Sequence, residues 1–366
     1  MKGTLFLKNC KPLFFDGDKL IYARGNKVFS CFNNLSEELL FTFPKSKLNL
    51  ITNKSRLFYR MFRSGVGAAI KAELNYFFVY DKKLFRYDIV SRVLVKEFNF
   101  TVGRGPLQFS IIKNIDGFTD VVCFGEYFGN HDRDPVNIYV RNSNGKWINT
   151  YSFVKGEINH IHALIPDIYR NCIWILAGDF EHSASIYKAE DNFKNVSPIL
   201  TDNQNYRACV AFPLEDGILY ATDSQIKTNS IRMMKQVGAG WVSEQLVDIN
   251  GSCIYGTELK DYFVFSTSTE PSEKKIGKIA RLLDNKPAPG ILENKSDIII
   301  YNKKSKKISI ITSINKDIWP YRLFQFGSVM FPSNSEKSNI LYSYNVGSKE
   351  NDLSTVIYDL TNRTLR

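Results

Sequence analysis

Two histidines separated by a single residue, His160 and His162 in "GEINHIHALIPD", carry the strongest chemical signal in the chain. Only four histidines occur in 366 residues, and the other two, His131 and His182, lie close by on either side. On a β-strand, residues i and i+2 project to the same face, so the two imidazoles can act together. They could serve as base and acid. They could bind a metal if carboxylates converge on them. They could also be hydrogen-bonded structural residues.

Other ionisable residues sit where apolar runs turn abruptly polar. In "AGDFEH", Asp179 and Glu181 share a face just after "CIWILA". Glu126 in "GEYFGN" and Asp223 in "YATDS" repeat that pattern, and Glu270 in "STSTEPS" occupies a similar exit. In "QNYRA", Arg207 follows Tyr206 at a place analogous to His160. The catalytic candidates are therefore Glu126, His160, His162, Asp179 and Asp223. Arg207, Tyr206, Glu181 and Glu270 are candidates for substrate binding. No metal ligand or cofactor is assigned. A divalent metal at His160 and His162 is the lesser alternative.

The elements that must position these residues read as strands. Short β-branched and aromatic runs such as "KLIYAR", "YFFVYD", "DVVCFGEY", "CIWILAG", "GILYATD" and "YFVFSTS" alternate with turn formers such as "FDGD", "NIDGF", "NSNGK" and "LEDG". No long segment has a helical apolar period. The strands fall into groups near 10–47, 55–100, 106–155, 159–201, 206–250, 252–315 and 320–361. That spacing suits four-stranded propeller blades. The expected fold is all-β: one β-propeller domain over residues 1–366, with seven blades favoured over six. The last group supplies three strands, and "GTLFLKN" near the N-terminus would supply the fourth and close the ring. A pair of β-sandwiches is the rival architecture, but no Pro/Gly/Ser linker divides the chain. The charged segment 268–294 reads as an insertion within a blade.

With 44% hydrophobic residues and 27 Phe, the chain has ample material for a core. Its net charge of +11 favours anionic partners. The six cysteines are scattered singly, which points to free buried thiols rather than disulfides or zinc. Charged residues interrupt every apolar run near the N-terminus, and no stretch is long enough to span a membrane. A cytoplasmic location is the expectation. "NKSRLFYRMFR" is the only basic-aromatic stretch of note and reads as blade structure, so nucleic acid is not an expected partner.

Two segments resemble the Asp-box hairpin of sialidase-type propellers: "RNSNGKW" (141–147) and "KAEDNF" (188–193). The ordered series "GEYFGN", "HIHALIPDIYRNCIWILAGDFEHS", "QNYRACVAF", "LYATDS" and "STSTEPS" resembles a bacterial BNR/sialidase-like propeller family, over roughly residues 55 to 275. Members of that family are associated with surface-polysaccharide (O-antigen and capsule) gene clusters. The resemblance implies a propeller and a glycan context, with no catalytic assignment to carry over. The expected function is action on an acidic bacterial surface glycan or its precursor. Glycoside hydrolysis would use two carboxyl groups. β-Elimination would use a histidine base, with Arg207 or a metal on the uronate. The alternative is a non-catalytic glycan-binding or scaffold propeller.

Overall fold

A computed structural model describes residues 1–32, 36–44, 55–180, 183–272 and 277–361. The strands form seven four-stranded antiparallel sheets, the blades of a β-propeller. Six blades are consecutive in sequence, spanning 11–42, 69–99, 110–153, 161–200, 208–249 and 252–315. The seventh combines Ser328–Met330, Ile340–Val346 and Ser354–Asp359 with the N-terminal strand Thr4–Leu7, which pairs antiparallel with Ser354–Asp359. The grouping expected from sequence therefore matches the blades, including the strand contributed from the N-terminus. Among the described residues, no helix is long and apolar enough to cross a membrane.

Each blade follows one physical logic. Its second strand is covered on both faces, so it reads as a continuous apolar run rather than an alternating one. Cys172–Ala177 and Tyr262–Ser268 are buried at every position. The fourth strands Trp147–Phe153 and Gly240–Ile249 are mostly exposed or half-buried and carry the polar edge. A bulge interrupts the first strand of four blades, between Pro12 and Phe14, Ile161 and Ala163, Ala208 and Val210, and Cys253 and Tyr255. One residue at each bulge leaves the ladder, which frees its side chain from strict alternation.

The chain divides into two compact units. The first, Met1–Val66, Gln225–Thr228 and Ile249–Arg366, holds the first, sixth and seventh blades. Leu259, Val264, Ile298, Val329, Leu341 and Val356 form a core between its sixth and seventh blades. A short helix, Arg56–Met61, brings the fully buried Arg60 to Asp317 and Asp352. The Arg60 guanidinium also donates to the carbonyls of Phe324 at 2.6 Å and Gln325 at 3.2 Å. That leaves the buried charge both paired and hydrogen-bonded, as burial demands.

The second unit, Gly67–Ser224 and Asn229–Asp248, holds the second to fifth blades. Cys123, Ile138, Ile161, Leu164 and Ile175 pack between its third and fourth blades. Ala163, Trp174, Leu176, Ala208, Ile218 and Tyr220 pack between its fourth and fifth. Both segments that resemble Asp-boxes lie at hairpins joining third to fourth strands, in the third and fourth blades respectively. Asn142 closes the first turn, its side chain accepting from the Lys146 N–H at 2.9 Å. The second turns through Asp191, Asn192 and Phe193, all at positive φ.

Candidate functional site

In the second unit, the fourth and fifth blades build a buried cluster of His160, His162, Asp179, Arg207, Cys209 and Asp223. The strand containing the histidine pair begins at Ile161, so His160 precedes it and His162 occupies the bulge. Both imidazoles are almost fully buried, at 4% and 2% exposure. Nδ1 of His160 lies 2.8 Å from the Phe128 carbonyl, and Nδ1 of His162 lies 2.9 Å from the Ala208 carbonyl. A carbonyl can only accept, so both Nδ1 atoms carry protons and donate. That turns both Nε2 atoms inward, 2.9 Å apart, and each lies 3.3 Å from Oδ1 of Asp179.

The supports of this geometry are local. The side chains of Asn130 and Asn159 each donate to the other's backbone carbonyl, at 2.9 and 2.8 Å. They tie the loop bearing Phe128 to the approach of His160. Gly178 ends the strand Cys172–Ala177, and its N–H donates to the His160 carbonyl at 3.0 Å. Its φ is +86°, and a Cβ there would sit 1.6 Å from the Ser183 carbonyl oxygen, so only glycine allows the turn that presents Asp179.

Arg207 approaches from the fifth blade, where its carbonyl accepts from the Asp223 N–H at 2.9 Å. His160 and Arg207 thus hold the same ladder position in adjacent blades, in keeping with the analogy read from sequence. The guanidinium lies 2.9 Å from Asp179 Oδ1 and 3.5 Å from Asp223 Oδ2, and also donates to the Asp179 carbonyl at 3.1 Å. Its carbon sits 5.3 Å from the centre of the Phe180 ring. Cys209 Sγ donates to Asp223 Oδ2 at 3.2 Å. Tyr127, 36% exposed, places its ring 4.4 Å from that of His160.

Electrostatics assign distinct states to these groups. Burial pushes His162 down to about 4, although Asp179 draws it upward, so His162 is a neutral acceptor at neutral pH. Burial alone would raise Asp179, but Arg207 and the two imidazoles outweigh it and hold the carboxyl well below the usual range. The cluster therefore sets two imidazole Nε2 atoms and one carboxylate oxygen facing one another, an arrangement that could hold a cation. That cation can be a shared proton or a metal.

Not every expected residue joins. Glu126 follows the strand Val121–Gly125, but its carboxylate accepts from the backbone N–H and side chain of Asn137, at 2.9 and 2.8 Å. Burial raises its pKa. Asn137 in turn accepts from Ser152 on the blade's outer strand, so the Glu126 carboxylate is engaged in hydrogen bonds of its own blade. Tyr206 packs against the core between the fourth and fifth blades. Glu270 is buried in the other unit, where its carbonyl accepts from the Ala288 N–H at 2.8 Å. His131 is exposed in a turn before the strand Val136–Arg141. Glu181 and His182 lie outside the described residues. Within the second unit, the ionisable side chains of the cluster come from the fourth and fifth blades. The third supplies the Phe128 carbonyl and the Tyr127 ring. Cys209 and Tyr127 are the members that the sequence reading did not select.

No known protein family matches the chain, and no curated protein matches it. Solved structures do. An oligogalacturonate lyase from Vibrio parahaemolyticus is 10% identical, with a TM-score of 0.55, over 98% of this chain and 91% of that one. An oligogalacturonate lyase in complex with manganese is 9% identical, with a TM-score of 0.51, over 95% and 89%. The tricorn protease is 9% identical with a TM-score of 0.48, and this chain spans only 36% of its length. At such identities the likeness is one of fold.

Proposed function

We propose that this propeller acts on an acidic sugar of a bacterial surface glycan or its precursor, by β-elimination, and that its centre is the cluster of His160, His162, Asp179 and Arg207. One observation carries the reading: His160 Nε2, His162 Nε2 and Asp179 Oδ1 face one another at 2.9 to 3.3 Å, with both Nδ1 atoms already committed as donors. The propeller neighbours include oligogalacturonate lyases, one of them in complex with manganese. The basic net charge of +11 suits an acidic substrate.

The residues fit a divalent metal. Two imidazole nitrogens and a carboxylate oxygen are suitable donors, and groups bound side by side on one ion at about 2.1 Å lie about 3 Å apart. Phe128 and Ala208 would fix the ligand rings through their carbonyls. When bound, the ion supplies positive charge that neutralises a uronate carboxylate. Arg207 keeps Asp179 anionic and in place. The partly exposed Tyr127 ring offers a surface for a sugar face beside the cluster.

Hydrolysis fits less well. It needs one protonated carboxyl flanking the bond. Asp179 is held ionised and shares the Arg207 guanidinium with Asp223. Glu126, whose pKa is raised, binds Asn137 instead. The burial of the histidine pair, at 4% and 2% exposure, favours a second reading in which the propeller binds a glycan without cleaving it.

Oligogalacturonates and acidic capsular oligosaccharides, incubated with the chain with and without Mn²⁺, test both. An ultraviolet-absorbing unsaturated product, absent from His162→Ala, is expected. Saturable binding without product would favour the binding reading. The absence of both product and binding would remove the glycan assignment.

A further inference from the structure

We infer that His162, Cys209 and Asp223 form a second, thiolate-containing metal set for a thiophilic dication such as Zn²⁺, sharing His162 with the histidine–aspartate set. A ring nitrogen of His162, the Cys209 sulfur and an Asp223 carboxylate oxygen lie within 4.8 Å of one another. All three residues are buried, at 2%, 2% and 3% exposure. Tetrahedral coordination at about 2.0 Å for nitrogen and about 2.3 Å for sulfur needs ligand spacings near 3.5 Å, which modest side-chain shifts supply.

Two features mark the set as more than a chance meeting. The first is shared construction. Cys209 occupies the bulge between Ala208 and Val210, as His162 does in the preceding blade. The Ala208 carbonyl, one residue before the thiol, accepts from His162 Nδ1 at 2.9 Å. The backbone that presents the sulfur therefore also orients the imidazole and leaves Nε2 as its ligand atom.

The second is charge. Asp179 and Asp223 flank Arg207, which compensates one of the two. A dication on His162, Cys209 and Asp223, which excludes an ion on the histidine–aspartate set because Nε2 of His162 has one lone pair, leaves this buried group with one surplus positive charge while the thiol keeps its proton. Ligation by Cys209 deprotonates the thiol, and that negative charge cancels the surplus. A buried site of zero net charge avoids the large desolvation cost of a charged one. A thiolate ligand shifts preference from manganese toward zinc, cobalt and cadmium.

The set stands on its own ligand geometry and does not depend on the glycan reading. The test uses the full chain, freed of metal by chelation and titrated with Co²⁺. A near-ultraviolet sulfur-to-cobalt charge-transfer band is expected, bleached by Zn²⁺ but not by Mn²⁺. It should disappear in Cys209→Ser and persist in His160→Ala, which removes a ligand of the other set only. X-ray absorption of the Zn²⁺-loaded wild-type chain should show sulfur at about 2.3 Å. A purely nitrogen-and-oxygen shell in the wild type, or a cobalt–sulfur band surviving in Cys209→Ser, overturns the inference. Neither measurement involves a sugar, so the glycan assignment and the thiolate set can fail separately.

Discussion

The neutral state of His162 has a measurable consequence for stability. Burial lowers it from an ordinary value of 6.5 to about 4. In the unfolded chain the imidazole takes up a proton near 6.5, whereas in the folded chain it does so only near 4. Between these values the unfolded state binds more protons, so stability falls as pH falls from 6.5 to 4 and levels off below. At about 1.4 kcal/mol per pH unit, the interval amounts to about 3 kcal/mol for this residue, as an order of magnitude. Asp179 acts in a different window. Its depressed folded value makes its contribution complete above the ordinary 3.8 and lost only below it. The perturbation is His162→Gln, which keeps an amide donor for the Ala208 carbonyl but cannot titrate. Urea unfolding of both proteins across pH 4 to 7 can be followed by tryptophan emission. Trp147, Trp174 and Trp241 all lie in the four-blade unit, and Trp174 and Trp241 pack edge to face at 4.9 Å. The wild type should lose about 3 kcal/mol more than the variant between pH 6.5 and 4. Parallel curves over that window would refute the assignment of a buried neutral imidazole.

Three further outcomes follow from the packing. Arg60→Met should cost about 3 to 5 kcal/mol in urea unfolding, because it strands the carboxylates of Asp317 and Asp352, and adding Asp352→Asn should recover part of that loss. Gly178→Ala should destabilise by more than about 2 kcal/mol, since it combines a positive φ with a backbone clash at Ser183. Gly156→Ala, at φ +95° with open space around it, should cost only about 1 kcal/mol.

The propeller was legible because blade strands covered on both faces leave continuous apolar runs, and "CIWILA" and "GILYAT" are buried at every position. The positions of the candidate site were legible only where backbone register decides direction. His160 and Arg207 share a ladder position, each accepting from the N–H at the end of the neighbouring strand. Their equivalence therefore survives in sequence. Asp179 and Asp223 are offset by one residue in that ladder, yet both reach the same guanidinium, because Gly178 turns the chain before Asp179. Glu126 shows the converse. It has the right place at a strand exit, but Asn137 captures its carboxylate, and a strand-exit pattern does not encode that capture.

Cys209 was the member hidden by residue type, since an isolated cysteine in an apolar strand reads as a buried thiol. The signal lay in spacing. "RAC" at 207–209 repeats the i, i+2 arrangement of "HIH" at 160–162, one blade later, and both patterns end at a bulge. Comparing His162 with its counterpart in the next blade leads directly to Cys209. Periodicity between blades, rather than chemistry within one strand, is therefore the better guide to which side chains meet at this cluster.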